Sequence, residues 1–152
     1  MVSLGLKNLF TRRIYYLRIV GLIFCGMLFA QVAESVEVIA HPSVGTNTLT
    51  LSAARSIFGL RQNKWPDGSM VQVFVLADSH PTHVALCKER LNLYPYQLRQ
   101  SWDRLVYAGM AQAPTQVGSE QELIQKVATT PGAVGYAWKV KPNDSIKIIV
   151  LQ

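Results

Sequence analysis

The chain of 152 residues is poor in cysteine, in acidic residues near its start and in long apolar runs. Its two cysteines are Cys25 and Cys87, and only Cys87 lies in residues 36–152, so that part cannot form an internal disulfide. No acidic residue precedes Glu34. The apolar run over residues 19–30 is shorter than the roughly 20 residues that a membrane-spanning helix needs. Residues 36–152 must therefore fold by packing alone.

The first 35 residues have the composition of a secretory signal peptide. The apolar run follows a basic segment made by Lys7, Arg12, Arg13 and Arg18. The small residues Ala33 and Ser35 are suited to cleavage after either position. We predict a signal peptide over residues 1–35, a single domain over residues 36–152, and a periplasmic or secreted location. The alternative is an uncleaved N-terminal anchor. After cleavage, the domain would not be an integral membrane protein.

The positive charge of the chain is concentrated in this leader. The whole chain has fifteen basic and nine acidic residues, a net charge of +6. Four of the basic residues and one of the acidic residues precede residue 36, which leaves eleven and eight, a net charge of +3. No basic cluster interleaved with aromatic residues remains, so we expect no nucleic-acid partner.

Apolar periodicity and cap residues predict eight elements in residues 36–152. Strands are expected where short apolar runs occur, over 36–40, 70–76, 133–138 and 145–151. Helices are expected where apolar residues recur every three to four positions: 51–58 after Thr50, 81–91 from Pro81, a third after Pro95, and a fourth from the capping box at Ser119. The order β-α-β-α-α-α-β-β predicts an α/β layered domain. Trp65 precedes Pro66 and is expected to be partly exposed.

Two segments together carry a family resemblance. They are LTLSAARSIFGLRQNKWPDGSMV (49–71) and VGSEQELIQKVATTPGAVGYAW (117–138). The chain resembles the phosphate-type periplasmic solute-binding proteins of ABC transporters, and most closely their small exported members with a single lobe. The resemblance implies one lobe of a type 2 periplasmic-binding-protein-like fold, a layered sheet with flanking helices. It also implies solute binding in transport, without catalysis and without a cofactor.

The resemblance also implies a ligand site at residues 76–82, where a strand gives way to a helix. The family pattern there is Arg-x-Asp-x-Ser-Gly-Thr; Asp78 and Thr82 match it, whereas Leu76 and Pro81 replace the arginine and the glycine, and His80 replaces the serine. Loss of the arginine removes a bidentate contact, which predicts weak binding of phosphate or another small oxyanion. The predicted ligand-binding residues are Asp78, Ser79, His80 and Thr82.

Two alternatives compete with this interpretation. Ser79 or Asp78 could simply cap the following helix. The domain could also have kept the fold and lost the ligand, serving as an accessory module that contacts a protein partner or a second copy of itself.

Metal binding and catalysis have little support in the sequence. His80, His83 and Cys87 have helical spacing, but no fourth ligand lies nearby, so we expect no metal; Cys87 is expected to be buried and the histidines to face solvent. No carboxylate pair, nucleophile motif or glycine-rich phosphate loop is present in the sequence. We therefore expect no enzymatic activity.

Overall fold

The structure is a computed structural model that describes residues 35–140, 143 and 145–152. The predicted basic segment, apolar run and Ala33 cleavage position lie outside the described residues. Within those ranges, no helix combines the length and the apolar character needed to cross a membrane.

Six strands and four α-helices make up the described domain. The strands are β1 (Val36–Ala40), β2 (Thr48–Leu49), β3 (Gln72–Val75), β4 (Thr115–Gln116), β5 (Ala133–Trp138) and β6 (Lys147–Leu151). The helices are α1 (Leu51–Phe58), α2 (Pro81–Ala85), α3 (Pro95–Tyr107) and α4 (Glu120–Thr129). A π-helical turn, Leu86–Arg90, continues α2.

The strands form one mixed sheet in the order β2-β6-β1-β5-β3-β4. Strand β1 runs antiparallel to both of its neighbours, with Val38 opposite Tyr136 of β5 and opposite Ile149 of β6. Strand β3 runs parallel to β5 and β4, so β3 and β4 end at the same edge of the sheet. This architecture confirms the predicted α/β class, a layered sheet with flanking helices.

The predicted cap residues do position the helices. The Thr50 side chain accepts a hydrogen bond from the Ala53 N–H at the start of α1, and the Ser119 side chain accepts one from the Glu122 N–H at the start of α4. Burial of the apolar faces of the helices then forms the core, whose largest fully buried side chains include Trp102, Tyr136, Phe58, Ile39 and Leu123.

Several expectations were wrong in detail. Trp65 is 2% exposed, and its indole Nε1–H is satisfied inside the domain by a 2.9 Å hydrogen bond to the Gly132 carbonyl oxygen. Strand β3 is shorter than the expected 70–76, and the expected helix over 81–91 changes to π-helical geometry at Leu86. The two-residue strands β2 and β4 were not predicted, since such short segments carry no measurable periodicity.

Candidate functional site

The candidate site is the strand-end loop, residues 76–82, which joins β3 to α2. Leu76 is fully buried and its N–H donates a 2.8 Å hydrogen bond to the Tyr136 hydroxyl oxygen. The loop therefore starts from a position fixed in the core. Its next residues emerge at the edge of the sheet where β3 and β4 both end.

Asp78 pairs with an arginine that lies 21 residues further along the chain. The Arg99 Nε–H and Nη2–H groups, on α3, donate to the two carboxylate oxygens of Asp78 at 2.9 and 2.7 Å. These hydrogen bonds lower the pKa of Asp78 and raise that of Arg99. The Arg99 guanidinium also lies over the Trp102 ring, 4.8 Å from its centroid. Two contacts thus fix the guanidinium beside the strand-end loop.

His80, rather than Asp78 or Ser79, caps helix α2. The His80 ring Nδ1 accepts a hydrogen bond of 3.2 Å from the Thr82 N–H. The His80 N–H is itself bonded to the Ala77 carbonyl oxygen, and Pro81 has no N–H to offer. The alternative that Asp78 or Ser79 caps the helix was therefore wrong. Ser79 is exposed at the surface of the loop.

Thr82 is 2% exposed and is bonded to a carboxylate of the same chain. Its hydroxyl donates a 2.7 Å hydrogen bond to Glu120 Oε2, and Glu120 Oε1 accepts one of 2.8 Å from the Trp138 N–H. Glu120 is the first residue of α4 and Trp138 the last of β5. One carboxylate therefore links the starts of α2 and α4 to the end of β5, and it uses the Thr82 hydroxyl predicted to bind ligand.

The remaining donors near the loop come mainly from Arg99 and Ser79. A guanidinium has five N–H groups, of which Asp78 accepts two, so Arg99 can present the others to an anion. The pair as a whole carries no net charge, which limits its attraction for an anion. The loop is therefore lined by hydrogen-bond donors but has little net positive charge beside it.

His83 and Cys87 lie inside the domain beside this loop. His83 is fully buried, which corrects the expectation that it faces solvent, whereas Cys87 is buried as expected. The His83 Nε2 and Cys87 Sγ atoms are 3.6 Å apart, and burial raises the pKa of the thiol to about 12. Within the described residues, no group of three or more His, Cys, Asp or Glu side chains is placed to hold a metal ion.

Sequence reasoning missed two residues of the site, Arg99 and Glu120. Arg99 shows no signal in the sequence, because the 21-residue separation from Asp78 is closed only by the packing of α3 against its neighbours. Glu120 does show a signal in the sequence, because it occupies the first helical position after the Ser119 cap, where a carboxylate is favoured by the helix dipole. That role did not reveal its contact with Thr82.

Comparison with known proteins identifies the fold but no family by sequence. No family model matches the chain, and no curated protein sequence matches it significantly. Several solved structures are similar in fold to this chain. A Clostridium perfringens protein assigned as a phosphate ABC transporter substrate-binding protein, with phosphate bound, has a TM-score of 0.58 at 14% identity, over 78% of this chain and 45% of its own.

Two further structures give the same result. The ABC-type phosphate transport receptor from Vibrio cholerae has a TM-score of 0.54 at 14% identity, and PstS from Borrelia burgdorferi has 0.56 at 15% identity. Each matches 78% of this chain but less than half of its own length, 46% and 47%. The described domain therefore has the fold of about half of a phosphate-type substrate-binding protein.

Proposed function

We propose that this chain is an exported, non-enzymatic, solute-binding-like domain that binds phosphate or another small oxyanion weakly at the strand-end loop. The observation that carries the proposal is the Arg99 guanidinium held against Asp78 at the end of β3. Position 76 holds a buried leucine, and the guanidinium comes instead from helix α3. Ser79, His80 and Thr82 complete the proposed site.

Phosphate titration of the exported protein, followed by amide NMR, tests this proposal. Arg99→Gln removes the guanidinium, and Arg104→Gln on the same helix is the matched control because Arg104 is exposed. We expect Arg99→Gln to weaken binding by at least roughly tenfold and Arg104→Gln to leave it unchanged. Equal affinities in all three proteins would contradict a role for Arg99 in binding.

Export is proposed on the basis of the leader composition, and it has its own test. Protein recovered from a periplasmic extract should begin at Glu34 or Val36 when its N-terminal residues are sequenced, since Ala33 and Ser35 suit the cleavage enzyme. An intact Met1 in the membrane fraction would indicate an anchor instead.

A second candidate function is that of a protein-interaction module. It is favoured by Glu120, whose carboxylate already accepts hydrogen bonds from the Thr82 hydroxyl of the proposed site and from the Trp138 N–H. The chain spans less than half the length of the solute-binding proteins it is similar to. Absence of any phosphate response in the wild type, together with stable association with a second copy or another protein, would favour this function.

A further inference from the structure

A chain of buried hydrogen bonds ties the strand-end loop to the core through His83. The Leu76 N–H donates to the Tyr136 hydroxyl oxygen at 2.8 Å, and that oxygen is 2.6 Å from His83 Nδ1. The His83 Nε2 atom then lies 3.6 Å from Cys87 Sγ. The side chains of His83, Tyr136 and Cys87 are all fully buried.

The protonation state of the His83 ring follows from the hydrogens that each group in this series of hydrogen bonds can donate. The Tyr136 oxygen accepts from Leu76, and its only hydrogen finds an acceptor at His83 Nδ1 when that nitrogen carries no proton. The imidazole proton is therefore on Nε2, where it faces the Cys87 sulfur. In this neutral tautomer both ring nitrogens of His83 and the Tyr136 hydroxyl have partners.

A proton added at Nδ1 would disrupt this arrangement. Nδ1 would become a donor facing the Tyr136 hydroxyl, whose hydrogen would then have to turn away from its acceptor. The charged ring would also be buried among Tyr136 on β5, Cys87 on the π-helical turn, and Trp102 on α3. None of these three side chains offers a negative charge.

The charged groups near His83 do not compensate a positive ring. The negative charge of Asp78 favours protonation of His83, but Asp78 is already bound bidentately by Arg99. The charges of Arg99 and His80 both oppose protonation of His83. Burial is the largest effect and lowers the pKa of His83 below its ordinary value of 6.5. A charged His83 is therefore tolerated only if the surrounding structure opens.

We propose that His83 is an acid-sensitive switch: its protonation breaks the Leu76–Tyr136–His83 chain and loosens the strand-end loop with helix α2. The unfolded or open state binds the proton more readily than the closed state. The closed form is therefore fully stable above about pH 6.5 and loses stability as the pH falls below that value. The proposal is independent of whether the loop binds an anion.

Hydrogen exchange of the protein purified after expression of the whole chain tests the switch. After correction for intrinsic exchange rates, the opening constant of the amides of residues 76–85 should rise at least roughly tenfold between about pH 7.5 and about pH 5. The amides of β1 should respond less. His83→Asn keeps an acceptor for Tyr136 but does not titrate. In this variant the opening constant of residues 76–85 should therefore no longer rise as the pH falls. His41→Asn removes a histidine outside this series of hydrogen bonds, so in that variant the opening constant of residues 76–85 should still rise as the pH falls.

Nitrogen NMR of the His83 ring gives a measurement that does not depend on a variant folding. We expect the Nε2–H tautomer at neutral pH and a protonation midpoint below 6.5. A midpoint at or above 6.5, or exchange over residues 76–85 that does not change with pH, would overturn the proposal.

Discussion

At the scale of single residues, the polar side chains of the strand-end loop are bonded to side chains elsewhere in the domain. Asp78 is held by Arg99, and Thr82 by Glu120. The sequence pattern predicted which loop carries these residues but not their partners, because a hydrogen bond between residues 38 positions apart leaves no local signal. The sequence shows a carboxylate at Asp78, and only the structure shows that Arg99 is the cation bonded to it.

Thr82 offers a prediction at this scale. Thr82→Val keeps the shape of the side chain but removes the hydroxyl that donates to the Glu120 carboxylate. We expect the free energy of unfolding to fall by about 1 kcal/mol, because a buried hydrogen bond to a charged group is lost while part-exposed Glu120 regains water.

Urea denaturation measures this loss. Thr46→Val is the matched control, since the Thr46 hydroxyl makes an exposed bond to the Thr48 carbonyl oxygen. An equal loss of stability in the two variants would argue against a structural role for the Thr82–Glu120 bond.

At the scale of elements, caps and turns were more predictable than the edges of the sheet. Thr50 and Ser119 fixed the starts of α1 and α4 because capping is local chemistry. The partial exposure expected for Trp65 was wrong because its partner, the Gly132 carbonyl oxygen, lies 67 residues away. The change to π-helical geometry after Ala85 had no sequence signal that we can identify.

The turn at Gly132 between α4 and β5 gives a prediction at this scale. Gly132 has a φ of 74°, and a Cβ atom there would overlap the Met70 carbonyl oxygen. Gly109 has a similar φ of 68° but open space around it. Gly109→Ala should therefore cost about 1 kcal/mol through backbone strain alone. Gly132→Ala should cost about 3 kcal/mol or more, because the strands must also move apart.

Thermal unfolding of the two variants separates these effects. A fall in Tm several times larger for Gly132→Ala than for Gly109→Ala is expected. Similar falls would mean that the Met70 carbonyl can move aside at little cost.

At the scale of the whole molecule, the order of strand and helix signals predicted the fold class, and the structure shows how the strands are arranged in the sheet. Alternating strand and helix signals were enough to predict an α/β domain, and Cys87 is indeed buried away from any disulfide partner in the described residues. The sheet order was not predictable, because β1 lies between the last two strands of the chain and pairing over such separations depends on tertiary packing.

That placement of β1 has a consequence for how the domain folds. Ile39 pairs with Gly135 on one side and with Ile148 on the other, so the central strand finds both of its partners about a hundred residues later. Closing loops of that length before any pairing forms makes folding slow. A chain that emerges from its N-terminus would leave Val36–Ala40 unpaired until the strands over residues 133–151 are available to pair with it.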